Sequence, residues 1–225
     1  MPYFKDINTI FVHIPKNAGT SIISTLADYC SYNDLSPPMH PMRKHEPILS
    51  YYNGINRQTF LKANKFAVIR NPLSRIVSWY SYLKDFWGDE DRLVELKQFP
   101  CYSGSCKEKF LSTDFNSWVN ELTNYSDNSS CSDNNCPFHI TAPQHLFLID
   151  RVGKVMVSSI LRYEKLNEDW FDFSSSILNT DKPPALSNKN VGIYNRDYLG
   201  HYSDKSLKKI KSIYAKDFSL LGYDL

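Results

Sequence analysis

The sequence carries almost no excess of charge of either sign. Its 26 Lys and Arg residues are nearly matched by 24 Asp and Glu residues, so the formal net charge at pH 7 is +2. Proteins that bind nucleic acid along a surface usually show a strong basic excess. The balance therefore argues against a general nucleic-acid partner and indicates that any anion site is local.

Long apolar runs are also missing. No run approaches the roughly 20 apolar residues that a membrane-spanning helix requires, so no membrane segment is expected in this chain. Lys5 and Asp6 stand where a secretory signal peptide would need its apolar core. These features predict a soluble, cytoplasmic protein, with a secretory lumen as the alternative.

The C-x2-C spacing of zinc knuckles does not occur. Four of the five cysteines form two C-x4-C pairs around one polar segment, and the fifth stands apart: Cys101, Cys106, Cys131 and Cys136, then Cys30. The even set permits two disulfides or a zinc site of unusual spacing, and the missing knuckle spacing favours disulfides or free thiols. Two N-x-[ST] sequons, at 124–126 and 128–130, lie in the same segment and agree with the lumenal alternative.

Apolar residues are plentiful by comparison. Hydrophobic residues make up 42% of the 225 residues and aromatic residues 14%. This length exceeds the commonest domain size of roughly 100 to 150 residues, but it still suits one α/β domain with insertions. We therefore predict a single domain over residues 1–225 with a sizeable core.

Two segments have the pattern of a strand, a short turn and a helix. Residues 9–14, TIFVHI, are apolar and β-branched, and residues 21–29 follow with apolar positions at helical spacing. Residues 65–69, KFAVI, repeat the strand pattern before the turn RNP, in which Pro72 suits the first position of a helix over residues 73–83. Two such units predict an α/β fold with a P-loop-like parallel sheet flanked by helices.

The remaining sequence divides into loops, an insertion and a few further elements. Residues 31–65 contain SPPMHPMRKHEP, with four prolines, and are predicted as a loop. Residues 84–143 are polar and contain the paired cysteines, so they are predicted as an insertion or lid with one helix near 114–122. A strand is expected within residues 154–164 and a terminal helix over residues 203–218.

The turn after the first strand, PKNAGTS, has the composition of an anion-binding loop. Ala18 and Gly19 let the backbone approach an anion, and Thr20 and Ser21 offer hydroxyls and helix N-terminal amides. Lys16 can reach the same anion from the strand side. The G-K-[ST] ending of nucleoside triphosphatase loops is missing. The alternative is a turn that binds nothing, with Lys16 in solvent.

A second candidate anion site follows the later strand. Arg70 stands at the strand end, where ligands collect in open α/β sheets, and its planar guanidinium suits a phosphate. Ser78 lies eight residues further on, in the predicted helix, and offers a hydroxyl. The alternatives are a packing role for Ser78 and an ordinary surface ion pair for Arg75.

Together the two motifs resemble those of the sulfotransferases that use 3′-phosphoadenosine 5′-phosphosulfate. The likeness extends through RKHEP, FAVIRNPLSRIVSWY, PQHLFL, RYEKL and YAKDFSLLGYDL, and it points to the carbohydrate branch, which includes heparan sulfate 2-O-sulfotransferases and bacterial proteins. The resemblance implies that the first loop binds the 5′-phosphosulfate and the second motif the 3′-phosphate. The donor-binding residues that it implies are Lys16, Asn17, Ala18, Gly19, Thr20, Ser21, Arg70, Ser78 and, in a late loop, Lys189.

Sulfuryl transfer to a hydroxyl needs a base, and the resemblance places a histidine base in RKHEP, at His45. Histidine titrates near neutral pH and can accept a hydroxyl proton. His40, five residues earlier, is the second candidate, and Glu46 is a weaker one. His13 is interpreted as a structural strand residue. Lys16 is the candidate for stabilising the charge that develops on the departing phosphate oxygen.

The resemblance therefore predicts in-line transfer of a sulfuryl group from that nucleotide to a hydroxyl of a carbohydrate or glycoconjugate, with adenosine 3′,5′-bisphosphate as product and no metal. The alternatives are a P-loop kinase and a catalytically inactive protein that binds a nucleotide or a glycan. The missing G-K-[ST] ending argues against the kinase. The sequence identifies neither the acceptor nor the oligomeric state.

Overall fold

The computed structural model describes residues 2–34, 45–89, 104–122, 141–187 and 197–224. The chain divides into two compact units, which are Met1–Asn71 with Gln144–Val191 and Pro72–Pro143 with Gly192–Leu225. The prediction of a single domain stays a prediction. In the described part of the chain, no helix combines the length and the apolar character needed to cross a membrane.

The first unit contains a five-stranded sheet. Its strands are β1 (Pro2–Phe4), β2 (Thr9–Val12), β3 (Tyr32–Asp34), β4 (Asn64–Ile69) and β5 (Ser159–Arg162). Their order in the sheet is β3-β1-β2-β4-β5. The pairs β2 with β4 and β4 with β5 are parallel, whereas β1 pairs antiparallel with β2 and β3. The predicted parallel sheet is confirmed, and its antiparallel extension by β1 and β3 was not predicted.

The helices follow in chain order. They are α1 (Gly19–Ala27), α2 (Ile48–Gly54), α3 (Arg57–Lys62), α4 (Pro72–Gly88), α5 (Gly104–Ser112), α6 (Phe115–Glu121), α7 (His145–Leu148), α8 (Leu166–Leu178), α9 (Asp204–Ile213) and α10 (Ala215–Leu221). The 3-10 helices are Lys5–Ile7, Tyr163–Lys165 and Leu199–His201. The predicted strand-turn-helix units are thus confirmed as β2 with α1 and as β4 with α4, which begins at Pro72.

The core of the first unit lies where α1 and α8 pack on the sheet. Both helices are amphipathic, so each buries one apolar face while the opposite face meets solvent. The buried side chains of this core are Phe4, Phe11, Ile22, Leu26, Cys30, Phe66, Val68, Leu161 and Trp170. The Cys30 thiol donates to the Leu26 carbonyl oxygen, 3.2 Å away, and burial raises its pKa. The other four cysteines have side chains outside the described residues, so their pairing stays a prediction.

Helices α2 and α3 fall inside the segment that was predicted as a loop. The four prolines of that segment end at Pro47, which is the N-cap of α2. The side chain of Asn56 caps α3 by accepting from the backbone N–H groups of Gln58 and Thr59. The loop prediction for residues 48–62 was therefore wrong, because both helices are too short for an apolar period to be recognised.

The second unit is helical in its described residues. Helices α4, α6, α9 and α10 share one core, whose buried side chains are Leu73, Ile76, Val77, Phe115, Val119, Leu122, Ile210, Tyr214 and Phe218. Asp114 caps α6, which confirms the helix predicted near 114–122. Ser203 caps α9 as expected, but the predicted terminal helix is two helices that meet at Tyr214. The hydroxyl of Tyr214 donates to the Thr141 carbonyl.

Candidate donor and base site

The loop that joins β2 to α1 has an unusual backbone. Lys16 and Ala18 adopt positive φ angles of 68° and 59°. For residues other than glycine, the left-handed region costs roughly 1–2 kcal/mol each, so contacts elsewhere must hold this conformation. Left-handed Ala18 stands directly before the right-handed residues of α1, and such a pair turns neighbouring N–H groups toward one side.

The N-terminus of α1 has no side-chain cap. Its N-cap residue is Ala18, whose methyl group cannot accept a hydrogen bond. The first N–H groups of a helix have no intrahelical partner, and the helix dipole makes this end attractive to anions. The arrangement of Ala18, Gly19 and Thr20 therefore suits a phosphate or sulfate group. Thr20 is exposed and Ser21 is buried in this first turn.

Asn17 attaches the loop to the sheet. Its side chain is 1% exposed, and its Nδ2 donates to the Val68 carbonyl oxygen and to Gln144 Oε1, each at 2.7 Å. Its Oδ1 is buried and has no hydrogen-bond partner among the described residues. Asn17 lies between the two left-handed residues, so these two donated bonds hold the strained segment against β4.

Arg70 lies beside this loop. Because β2 and β4 are parallel neighbours, their carboxyl ends meet at the same sheet edge. The guanidinium of Arg70 is buried, with Nη1 donating to the Lys16 carbonyl oxygen at 3.2 Å. Its central carbon lies 4.0 Å from the centroid of the Tyr163 ring, a cation–π contact. The structure therefore brings together the two predicted anion-binding residues Lys16 and Arg70.

Gln144 is part of the same network, although no function was predicted for it from the sequence. Its side chain is fully buried, its Oε1 accepts from the Arg70 backbone N–H at 2.9 Å, and its Nε2 donates to the Arg70 carbonyl oxygen at 2.7 Å. Glu164, also unassigned, accepts from the Asn71 backbone N–H at 2.6 Å. The signal available in the sequence was that both residues lie in stretches that carry the family likeness.

His45 contacts the residue at which β2 leads into the same loop. Its Nδ1 lies 3.1 Å from the carbonyl oxygen of His13, and the two imidazole rings are 4.2 Å apart at their centroids. His13 is buried and also stacks on Phe11. A Cβ atom built on Gly19 would lie 1.8 Å from His13 Nε2, so only glycine leaves room for this ring. The structural interpretation of His13 agrees with this packing.

The remaining predicted site residues are Ser78, Lys189 and His40. Ser78 belongs to α4 in the second unit and is 2% exposed, so its assignment to the 3′-phosphate stays a prediction. Lys189 and His40 lie outside the described residues. Ser187, two residues before Lys189, is tied to α1: its backbone N–H donates to Thr25 Oγ1 at 3.0 Å, and its hydroxyl donates to the Ser21 carbonyl oxygen at 3.3 Å.

One alternative from the sequence is decided within the second unit. Arg75 is 2% exposed and its Nη1 donates to the Ala142 carbonyl oxygen at 2.9 Å, so the surface ion pair considered for it was wrong. Tyr80 packs against Phe115 and Trp118 in the core. Its phenol pKa is raised by burial and by the nearby charge of Asp114.

The first unit has the fold of an α/β protein, with a mixed sheet flanked by helices and a strand-to-helix loop whose geometry suits an anion. The comparison with protein families is consistent with this class, since a model of the sulfotransferase family matches residues 3–224. The chain therefore belongs to the sulfotransferase family, whose chemistry is the transfer of sulfuryl groups. No curated protein and no solved structure matched the chain. The resemblance to sulfotransferases is thereby confirmed at the level of the family.

Proposed function

We propose that this protein transfers a sulfuryl group from 3′-phosphoadenosine 5′-phosphosulfate to a hydroxyl of a carbohydrate or glycoconjugate. One observation carries the proposal. The loop around Lys16 and the guanidinium of Arg70 are joined by a hydrogen bond, although 54 residues separate them in the sequence. Two cationic groups and an uncapped helix N-terminus at one sheet edge suit a donor with several anionic groups.

The loop is the proposed site of the 5′-phosphosulfate. Gly19 and Thr20 in the first turn of α1 direct backbone amides toward the anion, and the Lys16 ammonium neutralises it from the strand side. The missing G-K-[ST] ending agrees with a nucleotide that has no γ-phosphate. Asn17, Ala18 and Ser21 complete the predicted loop contacts.

The 3′-phosphate is assigned to the second motif. The Arg70 guanidinium is held by the Tyr163 ring and by the hydrogen bond from its Nη1 to the Lys16 carbonyl oxygen. Ser78 and Lys189 are its proposed companions, on the basis of the family resemblance alone. A planar guanidinium can bind a phosphate with two parallel hydrogen bonds.

His45 is the proposed base, and its contact with His13 supports a particular tautomer. A backbone carbonyl can only accept a hydrogen bond, so the Nδ1 atom of neutral His45 must carry the ring proton. The lone pair then resides on Nε2. A general base needs such a lone pair within reach of the hydroxyl proton, and an orienting bond on the other nitrogen keeps the ring in place.

The proposed reaction is a single in-line displacement at sulfur. The acceptor oxygen forms a bond to sulfur while the bond from sulfur to the 5′-phosphate oxygen breaks, and His45 Nε2 takes the hydroxyl proton. The electron pair of the broken bond stays on the phosphate oxygen, where Lys16 stabilises the added charge. The products are the sulfated acceptor and adenosine 3′,5′-bisphosphate.

Calorimetric titration with adenosine 3′,5′-bisphosphate tests the donor assignment, with ATP and Mg²⁺ as the comparison. We expect binding of the bisphosphate and at least tenfold weaker binding of ATP. A preference for ATP would instead support the kinase alternative. Binding of the bisphosphate without transfer to any of a panel of hydroxylated saccharides, assayed with labelled sulfate donor, would support an inactive binding protein.

The finer assignments rest on the sequence. The carbohydrate acceptor follows from the branch of the family that the motifs resemble, and the acceptor panel tests it. The cytoplasmic location also remains a prediction, with the secretory lumen as its alternative. Mass spectrometry of the protein from its native source would distinguish them, since occupied sequons at 124–126 or 128–130 indicate the lumen.

A further inference from the structure

The side chain of Gln144 extends the ladder of hydrogen bonds beyond the end of β4. Strand β4 ends at Ile69, and the next residue, Arg70, exchanges two hydrogen bonds with the Gln144 amide. The amide accepts from the backbone N–H and donates to the backbone carbonyl oxygen, as a neighbouring strand would do. The position of the Arg70 backbone is therefore set by a side chain that lies 74 residues away.

The same amide also holds the loop between β2 and α1, here called the donor loop because it is the proposed site of the 5′-phosphosulfate. Gln144 Oε1 accepts a second hydrogen bond, from Nδ2 of Asn17, at 2.7 Å. The loop returns to Arg70 through the bond between Arg70 Nη1 and the Lys16 carbonyl oxygen. Gln144, Asn17, Lys16 and Arg70 thus close a ring of contacts within the first unit, and all members of this ring except Lys16 are buried.

Resting on the function proposed above, we infer that Gln144 is a positioning residue for the donor nucleotide. It touches neither reacting atom. It holds the loop of the 5′-phosphosulfate and the arginine of the 3′-phosphate in one arrangement before the nucleotide arrives. Without this amide, the left-handed residues Lys16 and Ala18 relax toward unstrained backbone, and the two anion sites lose their fixed separation. Binding then has to restore that order, and affinity falls.

A Gln144→Glu substitution tests the inference because its effect depends on pH. A protonated carboxyl group accepts and donates as the amide does, whereas an ionised one only accepts. The ordinary pKa of a glutamate carboxyl group is about 4.3. Burial raises the pKa of such a group, so the protonated form persists to a higher pH than it would in solvent. We expect near wild-type affinity for adenosine 3′,5′-bisphosphate at pH 5.5 and at least tenfold weaker affinity at pH 8.5.

Each affinity is expressed relative to the wild type at the same pH, because the phosphates of the nucleotide also titrate. The charge-free Gln144→Met variant should bind at least tenfold more weakly at both pH values. Gln58→Glu, on the exposed surface of α3, is the matched control and should bind as the wild type does. Titrations are made well below the melting temperature of each variant, so a role confined to stability lowers that temperature and leaves the affinity unchanged.

The outcomes separate this inference from the proposed function. Failure of the wild type to bind the bisphosphate overturns both. If the wild type binds the bisphosphate and both Gln144 variants bind it as tightly as the wild type at both pH values, the positioning role alone is overturned. If the variants do not fold, the inference is tested by the exchange of the side-chain amide hydrogens of wild-type Gln144 with solvent. This exchange should be slow and become slower with bisphosphate bound, and no change on binding overturns the inference.

Discussion

The Nδ1 atom of His45 lies 3.1 Å from the backbone oxygen of His13, the residue that follows β2 by one position. His13 precedes Lys16 by three residues, so the proposed base is bonded to the chain segment that leads into the donor loop. A displacement of this segment would therefore move both the base and the loop. Substitutions at His45, Lys16, Arg70 and Gly19 test the separate parts of this arrangement.

Replacement of His45 by alanine should separate catalysis from binding. A general base contributes roughly 10²- to 10⁴-fold to a rate, so sulfuryl transfer by His45→Ala should fall by that factor while its affinity for adenosine 3′,5′-bisphosphate stays near the wild-type value. The measurements are kcat and the calorimetric Kd. His201→Ala, at an exposed position of the second unit, is the control. An active His45→Ala protein alongside an inactive His40→Ala protein would show that the base was assigned wrongly.

Removal of either cationic side chain, that of Lys16 or that of Arg70, should weaken nucleotide binding. Hydrogen bonds to charged groups contribute about 1.5–3 kcal/mol, and each 1.4 kcal/mol is about tenfold in affinity. Lys16→Ala and Arg70→Ala should therefore each raise the Kd of the bisphosphate by at least about tenfold. The exposed residues of α3 supply the matched controls Lys62→Ala and Arg57→Ala. Unchanged affinity in both site variants would refute the donor assignment.

A single methyl group at Gly19 should disturb the site. The added Cβ would lie 1.8 Å from His13 Nε2, so the ring or the loop must move. Overpacking of this kind costs typically about 1–3 kcal/mol, and chemical denaturation of Gly19→Ala should show that loss together with reduced transfer. Gly88→Ala is the control, because a Cβ atom there meets nothing within 4 Å. Equal stability of the two variants would mean that His13 does not occupy this position in solution.

The helix cap at Asp114 should give a stability that depends on pH. Its carboxylate accepts from the hydroxyl and backbone N–H of Ser117 and from the backbone N–H of Asn116, and these bonds lower its pKa. A carboxyl group whose pKa is lower in the folded state stabilises the fold at pH values above its unfolded-state pKa, which is about 3.9. This contribution is lost as the pH falls through the folded-state pKa.

Urea denaturation at several pH values measures this contribution. Asp114→Ala should be less stable than the wild type at pH 7, and the difference should shrink below about pH 4 as the wild-type carboxyl group takes up its proton. Asp85→Ala, at an exposed position of α4, is the control and should show a much smaller change at pH 7. A difference that stays constant down to pH 2 would argue against the cap.

Local patterns were sufficient to predict the elements that carry the motifs. The apolar runs at residues 9–14 and 65–69 predicted β2 and β4, and the proline at position 72 predicted the start of α4. These signals act between residues close in sequence. The short helices α2 and α3 and the strand β1 were missed, since a few residues offer too short a period. Their formation depends on packing against the rest of the unit.

The sequence by itself determined the strand-loop-helix motif, the arginine after the second strand and the family likeness, all of which depend on residue types at fixed short spacings. Only the tertiary structure decided which distant groups complete the site. Gln144 reaches Asn17 across 127 positions, and His45 reaches His13 across 32. Such contacts exist because parallel strand pairing and core packing align separate segments at one sheet edge, and no local preference of those segments encodes that alignment.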